Sequence, residues 1–474
     1  MKPNASYFQS ILILLAQVQV VLFFATANTA CIQAFGIPFL RTIFNFPYQM
    51  NTKPKAFIRT QSDPDPCLQG ISSVQDLQDK IHEVRKLQFQ YNNADMYLRQ
   101  WKPDPRSTIS PDSCSASTSD PSSSTSTSST LSVLQFNALA QGLSMGPIPT
   151  PFERDTDHDA NSLKSIYGGF TDVPHPEITL DFDLRKWRLM EVLLGAPSST
   201  DSKPQHQCNK EQGCHQDTAN YVGYDVIAME EVDQFHGFFE PLLKMMGYQG
   251  LFLPKPYSPC VVSGWYSDGC AFFWKIGELE LIKEEQYSYQ QGNQVYLIVT
   301  MRHLATGKIM EFAMTHLKAG QGVKNEVLRS VQVQELMHRL SCSALSASKE
   351  HGVELNNIPV ILMGDFNSDI REEASCIQSV ISKYGTVCPC PLTSVYKIDP
   401  PDPSLFTTWK IRGLTTQKRI IDYIFCNDEK VHGFECTHIL DVPDEEEMEL
   451  TKLPGFKYPS DHLAINARFR LSKT

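Results

Sequence analysis

Three apolar runs in this chain end on clusters of polar or charged residues and a fourth holds a single acid, and chemistry would reside in those residues. The run 360–363 ends in Gly364-Asp365-Phe366-Asn367. Side chains alternate along a strand, so Asp365 and Asn367 would project together, and Gly364 would let another backbone approach closely. A strand closed by an Asx turn accounts for the same letters. The run 226–229 meets Glu230-Glu231-Val232-Asp233. Three acids after an apolar strand require solvent or a cation, and a hard ion such as Mg²⁺ prefers carboxylate oxygens. Helix capping competes for one of them: Asp233 would cap a helix over 234–246, leaving Glu231 for the metal. The run 309–314 leads into Thr315-His316-Leu317-Lys318. His316 and Lys318 share a face and suit a phosphate, although a lone histidine is more often structural. Ile421-Asp422-Tyr423-Ile424 embeds an acid in an apolar strand, where it needs a partner. Tyr458-Pro459-Ser460-Asp461-His462-Leu463 offers His462, either as a histidine oriented by Asp422 or as part of a surface turn.

Positioning such residues requires strands. The apolar runs 131–136, 226–229, 271–274, 295–301, 309–314, 360–363 and 420–425 read as strands, and 185–194, 234–246 and 326–341 as helices. Strands dominate, so the expected fold is α/β (α+β): a two-layer β-sandwich core flanked by helices. Segments 144–179 and 197–220 read as insertions. The second holds His206, Cys208, Cys214 and His215, but without zinc-finger spacing, so it reads as a solvated loop. Upstream, 74–101 has a helical pattern through Ile81, Val84, Leu87, Phe89 and Tyr91. Residues 107–130 are mostly Ser and Thr without Lys or Arg, the composition of a disordered linker. The expected organisation is therefore 1–49 targeting segment, 50–106 N-terminal extension open to protein partners, 107–130 linker and 131–474 catalytic domain.

Composition narrows the partners. The 474 residues carry a formal net charge of −11. Nothing global attracts a polyanion, so any phosphate chemistry needs a local positive site. The 13 cysteines form no regular framework and read as reduced thiols of an intracellular enzyme. Residues 1–62 contain no Asp or Glu, and 11–25 is apolar apart from Gln17 and Gln19. Ala25-Thr26-Ala27 then resembles a signal-peptidase site, whereas Arg41, Lys53, Lys55 and Arg59 suit a mitochondrial presequence. Met50 is an alternative start that removes the segment.

The joint order Asn137, Glu231, Asp268, His316, Asp365-x-Asn367, Asp422, Asp461-His462 resembles the signature of the endonuclease/exonuclease/phosphatase superfamily. Gly269-Cys270-Ala271 and Tyr458-Pro459-Ser460-Asp461-His462 are similar to its deadenylase branch. Longer stretches resemble the nocturnin family within that branch: Gly247-Tyr248-Gln249-Gly250, Phe252-Leu253-Pro254-Lys255-Pro256, Thr315-His316-Leu317-Lys318-Ala319 and Thr407-Thr408-Trp409-Lys410-Ile411-Arg412. The resemblance covers about residues 130–474. It implies that Glu231 ligates Mg²⁺ (Mn²⁺ being the alternative), that Asn137 positions the metal or a phosphate oxygen, and that Asp461 serves a second metal. It implies that Asp365 orients or deprotonates the attacking water and that Asn367 holds the water or the pentavalent phosphate. His316 and His462 would donate to phosphate oxygens, with Asp422 orienting His462. Lys255, Asp268, Lys318 and Arg412 would line the substrate. Two departures make the site less positive: Gly320 stands where the family has Arg, and Glu230 where it has Gln. If another cation replaces that Arg, Lys324 or Arg329 is nearby. The implied reaction is removal of the 2′-phosphate from NADP⁺ or NADPH, to give NAD⁺ or NADH. The wider branch implies 3′-to-5′ removal of poly(A) from RNA, and an inactive scaffold is the reading from another class. An acidic chain without a basic track favours the dinucleotide. The resemblance also favours a mitochondrial or cytoplasmic location.

Overall fold

The computed structural model describes residues 63–104, 128–146, 167–195, 223–372, 375–381, 392–396, 402–428 and 431–473, with positions 58, 60 and 106. The expected address at 1–49, most of the linker and the Cys/His segment 197–220 lie outside the described residues. The strands, in chain order, are β1 Trp101–Pro103, β2 Ser128–Asn137, β3 Val226–Val232, β4 Tyr248–Pro254, β5 Gly269–Lys275, β6 Leu279–Ser288, β7 Val295–His303 and β8 Ile309–His316. They continue as β9 Val360–Asp365, β10 Thr393–Ser394, β11 Thr408–Arg412, β12 Thr415–Arg419, β13 Asp422–Cys426, β14 Phe434–Leu440 and β15 Ile465–Ser472. The main helices are α1 Val74–Gln88, α2 Phe182–Leu194, α3 Glu240–Met245 and α4 Val323–His351.

One sheet has the order β1-β14-β15-β2-β3-β5-β4 and the other β10-β13-β9-β8-β7-β6, while β11 and β12 form a separate hairpin. Only β2–β3 and β8–β9 pair in parallel among the described strands. These are the pairs that bring two strand C-termini together, as a site built from strand ends requires. The sheets face each other across Val133, Ala228, Phe272, Val299, Phe312, Met363 and Ile424, all buried. Each large apolar side chain in such a core contributes about 1.5–3 kcal/mol. On β2 the alternation is strict: Leu131 and Val133 face the other sheet, whereas Leu134 and Phe136 face Trp187 and Met190 of α2. Gln135 and Asn137 therefore also point between the sheets.

The expected strands are all present; six are extended at their ends, while the run 420–425 becomes a strand only from Asp422. The run 234–246 is not one regular helix: Phe235–Phe239 forms a wide π turn before α3. Helical structure upstream stops at Gln88 rather than reaching 101, because Trp101–Pro103 instead joins β14 as an edge strand. Ser128, Ser129 and Thr130, expected as linker, are strand residues paired to β15. The extension is also more than an appendage. Leu77, Ile81, Val84 and Tyr97 are buried in one cluster with Trp187, Leu189 and Leu193.

Candidate active site

Strand ends from both sheets meet at one edge of the sandwich. His316, Asp365 and Asp422 occupy one register row across β8, β9 and β13. This row needs glycine at 364: a Cβ there would stand 2.1 Å from the Thr315 carbonyl oxygen. From the facing sheet, the Asn137 amide donates to Asp365 Oδ2 at 2.9 Å. Asn367 has φ +52°, a left-handed conformation that asparagine tolerates better than most residues. Its N–H donates to Asp365 Oδ1 at 2.8 Å, and its amide donates to the Leu317 carbonyl at 3.1 Å. The Asx turn and the chemical pairing are thus one arrangement.

Glu231 is aimed by a defect in its strand. The register of β3 against β5 shifts between Met229 and Val232, and Glu231 has φ +55°. A bulge re-aims a side chain, at a strain of about 1–3 kcal/mol for a non-glycine residue in this region. Glu231 Oε1 stands 4.0 Å from His316 Nε2, which is itself 3.6 Å from Asp365 Oδ2.

Asp422 has found its partner. His462 Nδ1 lies 2.9 Å and 3.1 Å from its two oxygens. His462 Nε2 faces Asp365 Oδ2 at 3.9 Å and Lys410 Nζ at 3.3 Å. Burial alone would strip the proton from His462, but the Asp422 carboxylate more than reverses this and holds the ring up at about 9. Burial pushes Asp365 up to about 6, with the His462 charge opposing. Burial and the nearby Lys255 charge hold His316 well below the usual imidazole range. The site therefore has one cationic imidazole and one neutral imidazole on either side of Asp365.

The donor set fits a hard divalent ion at Glu231. Its Oε2 accepts only a long 3.4 Å bond from Ala140 N–H among the described residues, and its Oε1 has only the distant His316. Asp365, Asp422 and His462 also bring ligand atoms within 4.8 Å of one another. Asp422 commits both oxygens to His462, however, so that trio is better suited to proton positioning than to a metal cage. Asp461 Oδ1 is buried without a hydrogen-bond partner, which leaves one carboxylate oxygen for a second ion.

Several expected residues stand elsewhere than anticipated. Asp268 is fully buried, and its oxygens accept from Lys255 and Ser258. It orients Lys255 rather than lining the substrate. Asp461 Oδ2 is bound by Lys410 and, at 3.3 Å, by Arg412. Burial would raise Asp461, but Lys410 first, then His462 and Arg412, hold it well below the usual carboxylate range. Asp233 caps no helix over 234–246; it accepts instead from Gln141 N–H at 2.7 Å. Arg329 is fully buried and cannot reach a ligand. Gly320 has φ +97°, and a Cβ there would stand 2.9 Å from Asn325 Nδ2, so an arginine would strain this turn. Lys318 is half-buried, its ammonium unpaired among the described residues.

Three further residues belong to the site. Lys410 was legible as the strand neighbour of Arg412, two positions away on the same face of β11. Gln135 gave only the weak signal of a polar residue in an apolar strand, whereas Glu230 stands in the acid cluster that follows 226–229. The Gln135 amide donates to Glu230 Oε2 at 2.8 Å and to Asp422 Oδ1 at 3.2 Å, continuing the line that ends at His462.

Residues 209–462 match the model of the Endonuclease/Exonuclease/phosphatase family. The chain is similar to Nocturnin of Rattus norvegicus, 34% identical over 258 residues that cover 52% of this chain and 55% of that protein. It is also similar to the CCR4-Not complex 3′-5′-exoribonuclease subunit Ccr4 of Saccharomyces cerevisiae, 25% identical over 53% of this chain and 34% of that protein. The match thus spans about half the length of the nocturnin relative. The solved structure of ANGEL2, a 2′,3′-cyclic phosphatase, in complex with adenosine-2′,3′-vanadate has the same fold. It has a TM-score of 0.51 and 17% identity, covering 79% of this chain and 99% of that one.

Proposed function

Since this chain belongs to the Endonuclease/Exonuclease/phosphatase family, we propose that it is a divalent-metal-dependent phosphohydrolase that removes the 2′-phosphate of NADP⁺ and NADPH. The observation that carries the hydrolytic reading is Asp365, held between His316 and His462 and gripped by Asn137 and Asn367. Asp365 positions the attacking water and accepts its proton. His462 donates from Nε2 to the phosphate as charge grows on the equatorial oxygens, and Asp422 holds the ring in that orientation. Lys318 and Arg412 neutralise the phosphate from the rim, while Lys255 does so from a wall set by Asp268. A divalent ion at Glu231, with Mg²⁺ the expected species, would supply Lewis-acid polarisation of a phosphate oxygen.

The dinucleotide is favoured because the positive groups are few and local. A net charge of −11 offers a long polyanion no track beyond the site. Poly(A) 3′-exonuclease activity is the second reading, favoured by the likeness to the Ccr4 subunit. The test is the full chain assayed with Mg²⁺ against NADPH and against oligo(A) side by side. Phosphate release from NADPH with intact oligo(A) is the expected result. Shortening of oligo(A) with unchanged NADPH would overturn the substrate assignment.

A further inference from the structure

The helix behind the site carries a polar stripe that no catalytic role uses. Glu326, Arg329, Gln332 and Glu335 recur every three residues along α4, and all are buried. Charged and amide groups remain buried only where every one is engaged. Arg329 Nη1 donates to the Lys318 carbonyl at 2.8 Å and to the Gly320 carbonyl at 2.7 Å. Gln332 Oε1 accepts from the Lys318 N–H at 3.0 Å. The peptide units on both sides of Lys318 are thus fixed from the helix. Arg329 is in turn oriented by Glu326, whose Oε2 accepts from Arg329 Nε at 2.8 Å. Glu326 Oε1 accepts from Ser368 Oγ at 2.7 Å and from Cys376 N–H at 2.6 Å, which fixes the chain just after Asn367.

The stripe reaches a second loop. Gln332 Nε2 donates to the Gln291 carbonyl at 3.0 Å and to Gln294 Oε1 at 2.9 Å, and Glu335 Oε2 accepts from Gln290 N–H at 3.0 Å. In that loop Asn293 Oδ1 accepts from Tyr257 N–H at 2.8 Å, two residues beyond Lys255. One helix face therefore sets the loops that carry Lys318 and, through Asn293, Lys255.

We propose that Arg329 and Gln332 are positioning residues that hold Lys318 at the phosphate-binding site. They do for its backbone what a rigid strand does for His316. This rests on Lys318 contacting the phosphate. It also gives Gly320 a role: its left-handed turn presents its carbonyl, with that of Lys318, to one guanidinium.

The test uses the full chain with Gln332→Met, which keeps volume but removes the acceptor, and Arg329→Lys, which keeps the charge beside Glu326 but loses the fork. Each is measured alone and with Lys318→Met, and melting curves confirm folding. KM for the substrate turned over should rise about tenfold in each single variant, as lost hydrogen bonds to a placed backbone predict. In the Lys318→Met background each change should cost clearly less than it does alone, and Arg329→Lys, which touches neither Gln291 nor Gln294, should leave KM unaltered because the group it places is gone. An unchanged KM in a folded single variant, or a penalty that simply adds to that of Lys318→Met, would overturn the proposal. Should the wild type turn over neither NADPH nor oligo(A), the functional reading fails, and positioning is judged instead with inorganic phosphate. The rise in Tm with phosphate should then fall in Gln332→Met and Lys318→Met alike, and an undiminished rise in Gln332→Met would sink it.

Discussion

Asp422 and His462 bind each other so closely that neither has a separate role. His462 without its carboxylate loses both its charge and its orientation. Asp422→Ala and His462→Ala should therefore each lower kcat/KM nearly as far as the double variant does, and strictly additive losses would show two independent residues. Glu231→Gln keeps the shape of its side chain and should keep the fold, while turnover falls on the order of a thousandfold as metal affinity and Lewis-acid help are lost. Full activity of that variant in Mg²⁺, or of the wild type in excess chelator, would refute metal dependence. The pairing was legible in the sequence because a carboxylate in an apolar strand demands a partner. The bulge that turns Glu231 toward the site was not, because a positive φ at glutamate leaves no mark in composition. The role of Lys410 comes from its contacts to Asp461 and His462, 51 and 52 residues away along the chain, which strand spacing alone does not reveal.

Strand ends do the positioning, so an element can fail without any catalytic residue changing. Gly364→Ala forces β8 and β9 apart at Thr315, one register position before His316 and Asp365 face each other. Backbone cannot yield as a side-chain tip can, so the loss should be about 1–3 kcal/mol or more. Turnover should fall about a hundredfold if the two groups separate by an ångström. A variant with wild-type Tm and kcat would show that the close approach is dispensable. Farther along β8, Glu311 is buried, accepting from Thr300 Oγ1 at 2.8 Å and Ser343 Oγ at 3.0 Å. Burial raises it to about 7, with Glu285 adding to this and Lys283 opposing. A carboxyl raised in the folded state contributes stability that is full below the unfolded value of 4.5 and is lost as pH rises through about 7. Stability should thus decline by roughly 3 kcal/mol across that window, and Glu311→Gln should flatten the decline. Equal pH profiles of Tm for both proteins would refute the assignment. The strands themselves were readable as apolar runs. The hairpin of β11 and β12 was not, since its residues are mostly polar and the buried ones of β11, Thr408, Trp409 and Lys410, are consecutive and show no period of two.

At the scale of the molecule, the boundary suggested by composition is not the boundary of the folded unit. The Ser/Thr-rich stretch reads as a divider between an extension and a domain beginning at 131, yet the described residues of that extension are anchored at several points. Asp65 N–H donates to the Gly237 carbonyl at 2.8 Å, and Lys186 reaches Asp65 at 2.7 Å. Arg85 pairs with Glu191 of α2, Arg99 donates to the Ala464 carbonyl at 2.6 Å, and Arg106 bridges Asp104 and Asp428. Sequence could not reveal this, because a helix with one apolar stripe looks the same whether it covers its own chain or a partner. Removing 63–106 would uncover Leu77, Ile81, Val84 and Tyr97 from their cluster and leave the outer face of α2 wet. Four such side chains represent a gross loss on the order of 10 kcal/mol, against a typical net stability of about 5–15 kcal/mol. Freeing about 40 residues from order offsets part of that loss, so the truncated chain should be marginal rather than unfolded outright. No residue of the extension touches Asp365, His316 or His462 among the described contacts, so the folded fraction should retain its kcat. A chain starting at 128 should therefore melt at least about 10 °C below one starting at 63, with equal turnover per folded molecule at low temperature. Equal melting would show the extension to be a passenger. Turnover lost while melting is unchanged would show that it reaches the site by a route these contacts do not contain.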